Sequence, residues 1–97
     1  MRSIHWNRLA ILDYNNNIDY LLENWSVSEA QVFIDEVDEI IDVLRLGKVE
    51  HQSTNYTGVK RCVLRKQITL FYKIADKNTI ELLRFWNNYQ DEKKFKL

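Results

Sequence analysis

The pattern of polar and apolar positions changes period once along the chain. Residues 2–6, RSIHW, alternate, with Ile4 and Trp6 on one side, and predict a short first strand. From Ala10, apolar residues recur at Tyr14, Ile18, Leu21 and Trp25, tracing one helical stripe that Ile11 and Leu22 widen. Asn7 is the expected N-cap. The stretch YNNNID is rich in asparagine, a poor helix former, yet the stripe runs through it unbroken. SVSE, at residues 26–29, is a capping box, in which the Ser26 hydroxyl accepts from the Glu29 N–H as a second helix begins. That helix carries its stripe on Ala30, Phe33, Val37, Ile40 or Ile41, and Leu44, and ends at Gly47, where a left-handed cap belongs. So short a link predicts an antiparallel helical hairpin. Asp35, Glu36, Asp38, Glu39 and Asp42 fall on its solvent side.

Residues 48–58, KVEHQSTNYTG, have no period and predict a loop with room for a short strand. Strand-like runs follow at 59–64, 68–74 and 79–86, separated by Arg65, Lys66 and Gln67 and then by ADKN, which is turn chemistry. Links this short make consecutive strands antiparallel neighbours. Strict alternation puts Ile68, Leu70, Tyr72 and Ile74 on one face of the middle strand. In the last strand it puts Leu83 and Phe85 on one face, and Ile80, Leu82, Arg84 and Trp86 on the other. The expected architecture is α+β: an N-terminal strand and an antiparallel helical hairpin packed on a small, mainly antiparallel sheet, in the order β-α-α-β-β-β. One sheet face covers the helices. The other keeps large apolar and cationic groups where a merely wet face would be polar, and that marks a binding surface. Phe85 and Trp86 cannot both face the helices, whereas Trp6 and Trp25 read as core or helix-end packing.

Composition narrows the picture. Ninety-seven residues at 45% hydrophobic make a single globular domain, 1–97. A chain of this size buries about 65% of its unfolded surface. No apolar run approaches the roughly 20 residues of a membrane span, and the N-terminal stretch lacks the apolar segment of a signal peptide. The lone Cys62 excludes an internal disulfide, and the cytoplasm is the expected compartment. Only Gly47 and Gly58 are glycines, so phosphate-cradling glycine loops are absent, and no cofactor or metal site is expected. The zero net charge hides an asymmetry: residues 1–58 carry four cationic and ten acidic side chains, residues 59–97 ten and four. A basic half of this kind suits an acidic or polyanionic partner, or is simply a solvated face.

Three stretches, in order and spanning essentially the whole chain, carry a family likeness. IHWNRLAILDYNNNIDYLLENWS resembles the opening strand, capped helix and Tyr-Leu-x-x-x-Trp helix end of the RelE/ParE superfamily, the toxins of bacterial type II toxin–antitoxin systems. VKRCVLRKQITLFYKI is similar to that family's Val-Arg-Arg hairpin, and IELLRFWNNYQDEKKFKL to its closing strand and lysine-rich tail. The likeness is greatest to the ParE-like, plasmid stabilisation branch. It implies a growth-inhibiting toxin neutralised by a cognate antitoxin in a toxin–antitoxin hetero-oligomer. It implies one of two targets: DNA gyrase, inhibited without nuclease chemistry, or ribosome-bound mRNA, cut by a metal-independent endoribonuclease. A degenerate toxin kept only as an antitoxin-binding partner is the third alternative.

RNA cleavage without metal needs a base for the 2′-hydroxyl, cations for the phosphate and an acid for the leaving oxygen. Arg61 and Arg84 are the candidate phosphate cations, each on a strand, since guanidinium holds phosphate bidentately. The same residues could equally be paired with carboxylates. Tyr89 is a candidate stacking group or acid, and stands where many relatives carry arginine. Arg65 and Lys66 at the hairpin turn, with Trp86, Lys93, Lys94, Phe95 and Leu97, are the expected contacts for target or antitoxin. Glu50 and His51 read as solvated loop residues. Cys62, beside Arg61, is either a thiol of lowered pKa or a small buried strand residue. The neutral charge, the ParE-like closing segment and the lack of a convincing acid–base pair favour a protein target.

Overall fold

The computed structural model describes residues 1–47, 49, 51–65, 67–89, 95 and 97, except for the side chain of Arg65. Its elements are β1 (Ser3–Trp6), α1 (Arg8–Asn24), α2 (Val27–Leu46), β2 (Gln52–Ser53), β3 (Val59–Arg65), β4 (Ile68–Asp76) and β5 (Thr79–Asn87). The strands form one mixed sheet in the order β1-β5-β4-β3-β2, with β1 parallel to β5 and every other pair antiparallel. The α+β architecture expected from the sequence is the observed one.

Both helices start and stop where their caps dictate. The Asn7 side chain accepts from the Leu9 N–H at 2.9 Å, and the Ser26 hydroxyl accepts from the Glu29 N–H at 3.1 Å. Gly47 takes φ 69°, a left-handed value that glycine adopts without strain, and its N–H donates to the Val43 carbonyl. On α1 only Ala10, Asn17 and Leu21 are buried, with Tyr14 and Ile18 packed beside them. The stripe is therefore narrower than expected. Ile11 and Leu22 lie about 100° round the helix from Ala10 and Leu21, one residue's rotation, and are exposed. Trp25 is the C-cap rather than a packed helix residue, and is 53% exposed.

The core lies between the hairpin and one sheet face. Phe33, Val37 and Leu44 of α2 meet Ile68, Leu70 and Tyr72 of β4 and Ile80, Leu82 and Phe85 of β5. Its centre is aromatic: Phe85 lies 5.4 Å from Trp6, 5.9 Å from Tyr14 and 6.3 Å from Phe33 between ring centres. Trp6 thus packs in the core as expected. Ile74 does not, because β4 there has run past the start of β3 and pairs only with β5.

Strict alternation fails in β5. Tyr72 pairs with Leu82 but the preceding Phe71 pairs with Arg84, so Leu83 is an extra residue, a β-bulge. The bulge flips the strand's facing. Ile80 and Leu82 before it and Phe85 after it all point into the core. The expected grouping of Leu83 with Phe85, opposite Ile80 and Leu82, is thereby corrected.

Where the end of β1 meets the start of β5 there is a small charged cluster. Glu81 accepts from the Asn7 amide at 3.2 Å and pairs with Lys73 at 3.4 Å. The Asn7 hydrogen bond, helped by Lys73, holds the Glu81 carboxyl below its ordinary 4.5, against a smaller opposing effect of burial. A depressed folded-state value contributes stability that is complete above the unfolded value and lost as pH falls through the folded one. Melting curves of the native chain and Glu81→Gln from pH 7 to pH 3 are expected to differ most at pH 7 and to converge at the acid end.

Candidate functional site

The sheet face turned from the helices is a concave groove of about 650 Å³. It is lined by Arg61 and Val63 of β3, Thr69 and Phe71 of β4, Trp86 of β5, Asn88, the 52–56 segment and Phe95. Register explains the set: Gln52 and Phe71 stand opposite Arg61, and Thr69 stands opposite both Val63 and Trp86. Residues directly opposite share a face, so one row of each strand builds the wall.

The segment before β3 is held by its own polar side chains. The Thr54 hydroxyl donates to the Val59 carbonyl at 3.1 Å and accepts from the Tyr56 N–H at 3.1 Å. Gly58, at φ 75°, closes the turn. Tyr56 is thereby fixed over the groove's end. Arg61 is exposed, and its Nε donates to the Gln52 amide oxygen at 3.3 Å. The Asn88 amide donates to the Thr69 hydroxyl at 3.1 Å.

Arg84 does not line the groove. Its Nε and Nη2 donate to the two carboxylate oxygens of Asp13 on α1, at 2.6 and 3.0 Å, with the side chains only 12% and 14% exposed. The guanidinium carbon lies 5.3 Å from the Trp86 ring centre. The physical reason lies at the sheet edge. β1 ends opposite Leu82, so the rest of β5 has no strand neighbour on that side. Helix α1 supplies the missing partners: Asp13 accepts the Phe85 N–H at 3.1 Å, and Asn17, one turn on, donates to the Phe85 carbonyl at 2.9 Å. Arg84 neutralises the carboxylate used in this way. Arg84, a candidate phosphate cation, is thus paired with a carboxylate of the fold's own helix.

The remaining candidates separate. Trp86 and Phe95 are in the groove with Arg61. Tyr89 is 66% exposed and outside the lining. Arg65 closes β3 opposite Ile68, Leu97 is exposed, and Lys66, Lys93, Lys94 and Glu50 lie outside the described residues. His51 bonds through Nδ1 to the Tyr72 hydroxyl at 2.6 Å, and Tyr72 is a core residue, so the imidazole sits away from the groove. Cys62 is partly buried, and burial together with Glu36 raises its thiol pKa, the opposite of an activated thiol. Among the described residues the groove lining holds one cation and four aromatic rings, with no carboxylate or imidazole.

The sequence reading missed Tyr56, Phe71 and Asp13. Phe71 was visible as an aromatic on the face of β4 opposite Leu70 and Tyr72. Asp13 was visible as a carboxylate next to Tyr14 in an apolar helical stripe.

Comparison with solved structures finds the same fold elsewhere. The chain resembles the chromosomal ParDE toxin–antitoxin system of P. aeruginosa with a TM-score of 0.72 at 18% identity, covering 90% of this chain and 96% of that one. The chain has the fold of the RelE/ParE toxins. A copper-bound mutant toxin from Helicobacter pylori matches at 0.65 and 17% identity, over 92% of this chain and 97% of that one. The YoeB dimer from Staphylococcus aureus matches at 0.61 and 17% identity, over 88% and 94%. No protein-family model and no curated protein sequence matches the chain. The RelE/ParE fold thus spans both the ParE and YoeB types, and the groove is the face of it that the helices leave open. Among the described residues, no helix is long and apolar enough to cross a membrane.

Proposed function

We propose that this single domain is the toxin of a type II toxin–antitoxin pair, acting in the cytoplasm and held inactive by a cognate antitoxin. Its target is a protein, DNA gyrase or one bound in the same manner, as in the ParE branch. The observation that carries this reading is the groove: on a toxin fold, the open sheet face offers aromatic rings and one arginine, the residues enriched at protein-interface hot spots. Among the described lining residues, Tyr56 is the one that could serve as general acid or base, and RNA cleavage would need a second.

A second reading has its own support. Arg61 beside Phe71 and Trp86 is also the combination that binds single-stranded nucleic acid, a cation with stacking platforms, which suits a RelE-like mRNA endonuclease. Paired assays separate the two. Purified chain is expected to inhibit gyrase supercoiling and to leave ribosome-bound message intact. Cleaved message that disappears with Arg61→Ala would replace the protein-target reading with the ribonuclease one. A chain that binds the product of a neighbouring small open reading frame, yet affects neither assay nor growth, would be the degenerate form.

A further inference from the structure

The groove already holds a side chain of the chain itself, Phe95. The Phe95 ring centre lies 4.7 Å from Phe71, 5.0 Å from Trp86 and 6.2 Å from Tyr56. Three aromatic residues from three segments, the 52–56 loop, β4 and β5, converge on this one ring. All three point away from the helical layer, so the cage is separate from the core aromatics around Phe85. The polar groups at its rim satisfy one another: Arg61 bonds to Gln52, and Asn88 to Thr69. Within that polar rim, three rings form an aromatic cage around Phe95.

We propose that this cage is a docking site for an aromatic side chain carried by a partner polypeptide, and that Phe95 is the chain's own competitor for it. The cage already holds a side chain in the geometry that side chains prefer. Phe95 meets its three neighbours at interplanar angles of 51°, 87° and 53°, tilted and edge-to-face. That is how aromatic side chains pack in protein interiors, whereas a base on a stacking platform lies face to face. A phenyl ring also asks for no hydrogen bonds, and the paired rim offers few. Because Phe95 is tethered, its effective concentration at the cage is high, so an incoming partner must displace it. The inference rests on reading the open sheet face as the binding face, and it adds the chemistry of what binds there.

The test reads the cage directly and needs no toxicity, so it can fail while the toxin reading stands, and the reverse. Full-length chain labelled with 5-fluorotryptophan gives three fluorine signals, and Trp86→Phe identifies that of Trp86. Phe95→Ala is expected to move the Trp86 signal and leave those of Trp6 and Trp25 in place. Three probes are then added: the peptide YQDEKKFKL, the same peptide with alanine for phenylalanine, and a single-stranded RNA nonamer. The phenylalanine peptide is expected to return the signal towards its native position, acting on Phe95→Ala at least about tenfold more readily than on the native chain, whose tail competes. The alanine peptide and the RNA are expected to have no effect. A Trp86 signal that ignores Phe95→Ala, ignores the phenylalanine peptide or responds to the RNA overturns the proposal.

Discussion

Asp13→Ala is expected to destabilise the chain by about 3–5 kcal/mol, the cost of breaking a buried ion pair by removing one partner. The substitution removes the bidentate carboxylate from the Arg84 guanidinium, which is 12% exposed, and leaves the Phe85 N–H at the open edge of β5 without its Asp13 acceptor. Small domains hold only about 5–15 kcal/mol in total, so the variant should melt at least about 12 °C below the native chain. Replacing both charges, Asp13→Leu with Arg84→Met, removes the cation together with its carboxylate and should cost only about 1–3 kcal/mol, the penalty for the orphaned Phe85 N–H. Thermal melts of the two variants check the pair of values. An Asp13→Ala melt indistinguishable from native would mean that the helix does not stand in for the missing strand.

The second large effect belongs to Phe85→Ala, at about 3–5 kcal/mol. Phe85 is 1% exposed and sits among Trp6, Tyr14 and Phe33, so its loss opens a cavity where β1, α1, α2 and β5 meet. Trp86, one residue on, faces the groove and is itself only 6% exposed, with Phe95 and the Arg84 guanidinium packed on its ring. Its truncation is expected to weaken the fold as well, but without opening the core. Denaturant midpoints of the two variants report the costs on the two faces of one strand. A Phe85→Ala midpoint indistinguishable from native would contradict the bulge-defined facing of β5.

These two predictions show where the sequence could and could not be read. Helix caps were legible because they depend on neighbouring residues: Asn7, Ser26 and Gly47 act where their local chemistry says. The β4 face was legible because Ile68, Leu70 and Tyr72 alternate without a break. The β5 faces were not, since one extra residue, Leu83, inverts every position after it, and a bulge carries no strong local signature among apolar residues. The candidate site divided in the same way. Arg61 and Trp86 both sit in the groove, Trp86 because the bulge turns it away from Ile80 and Leu82. Arg84 looked the same in sequence, but its partner Asp13 is 71 positions away, and no period links the two. A strand arginine is read as free or paired only once the helix that covers the sheet edge is in place.

The most direct measurement of the account is growth of a bacterial culture in which the chain is expressed alone, with soluble, folded protein verified in the same cells. The native chain is expected to stop growth, and the product of a neighbouring small open reading frame to restore it. Arg61→Glu, which reverses the groove's one described cation without touching the core, is expected to abolish the arrest while melting like the native chain. Uninterrupted growth with the folded native chain, or an arrest undiminished by Arg61→Glu, would contradict the assignment of a toxin acting through the open face of its sheet.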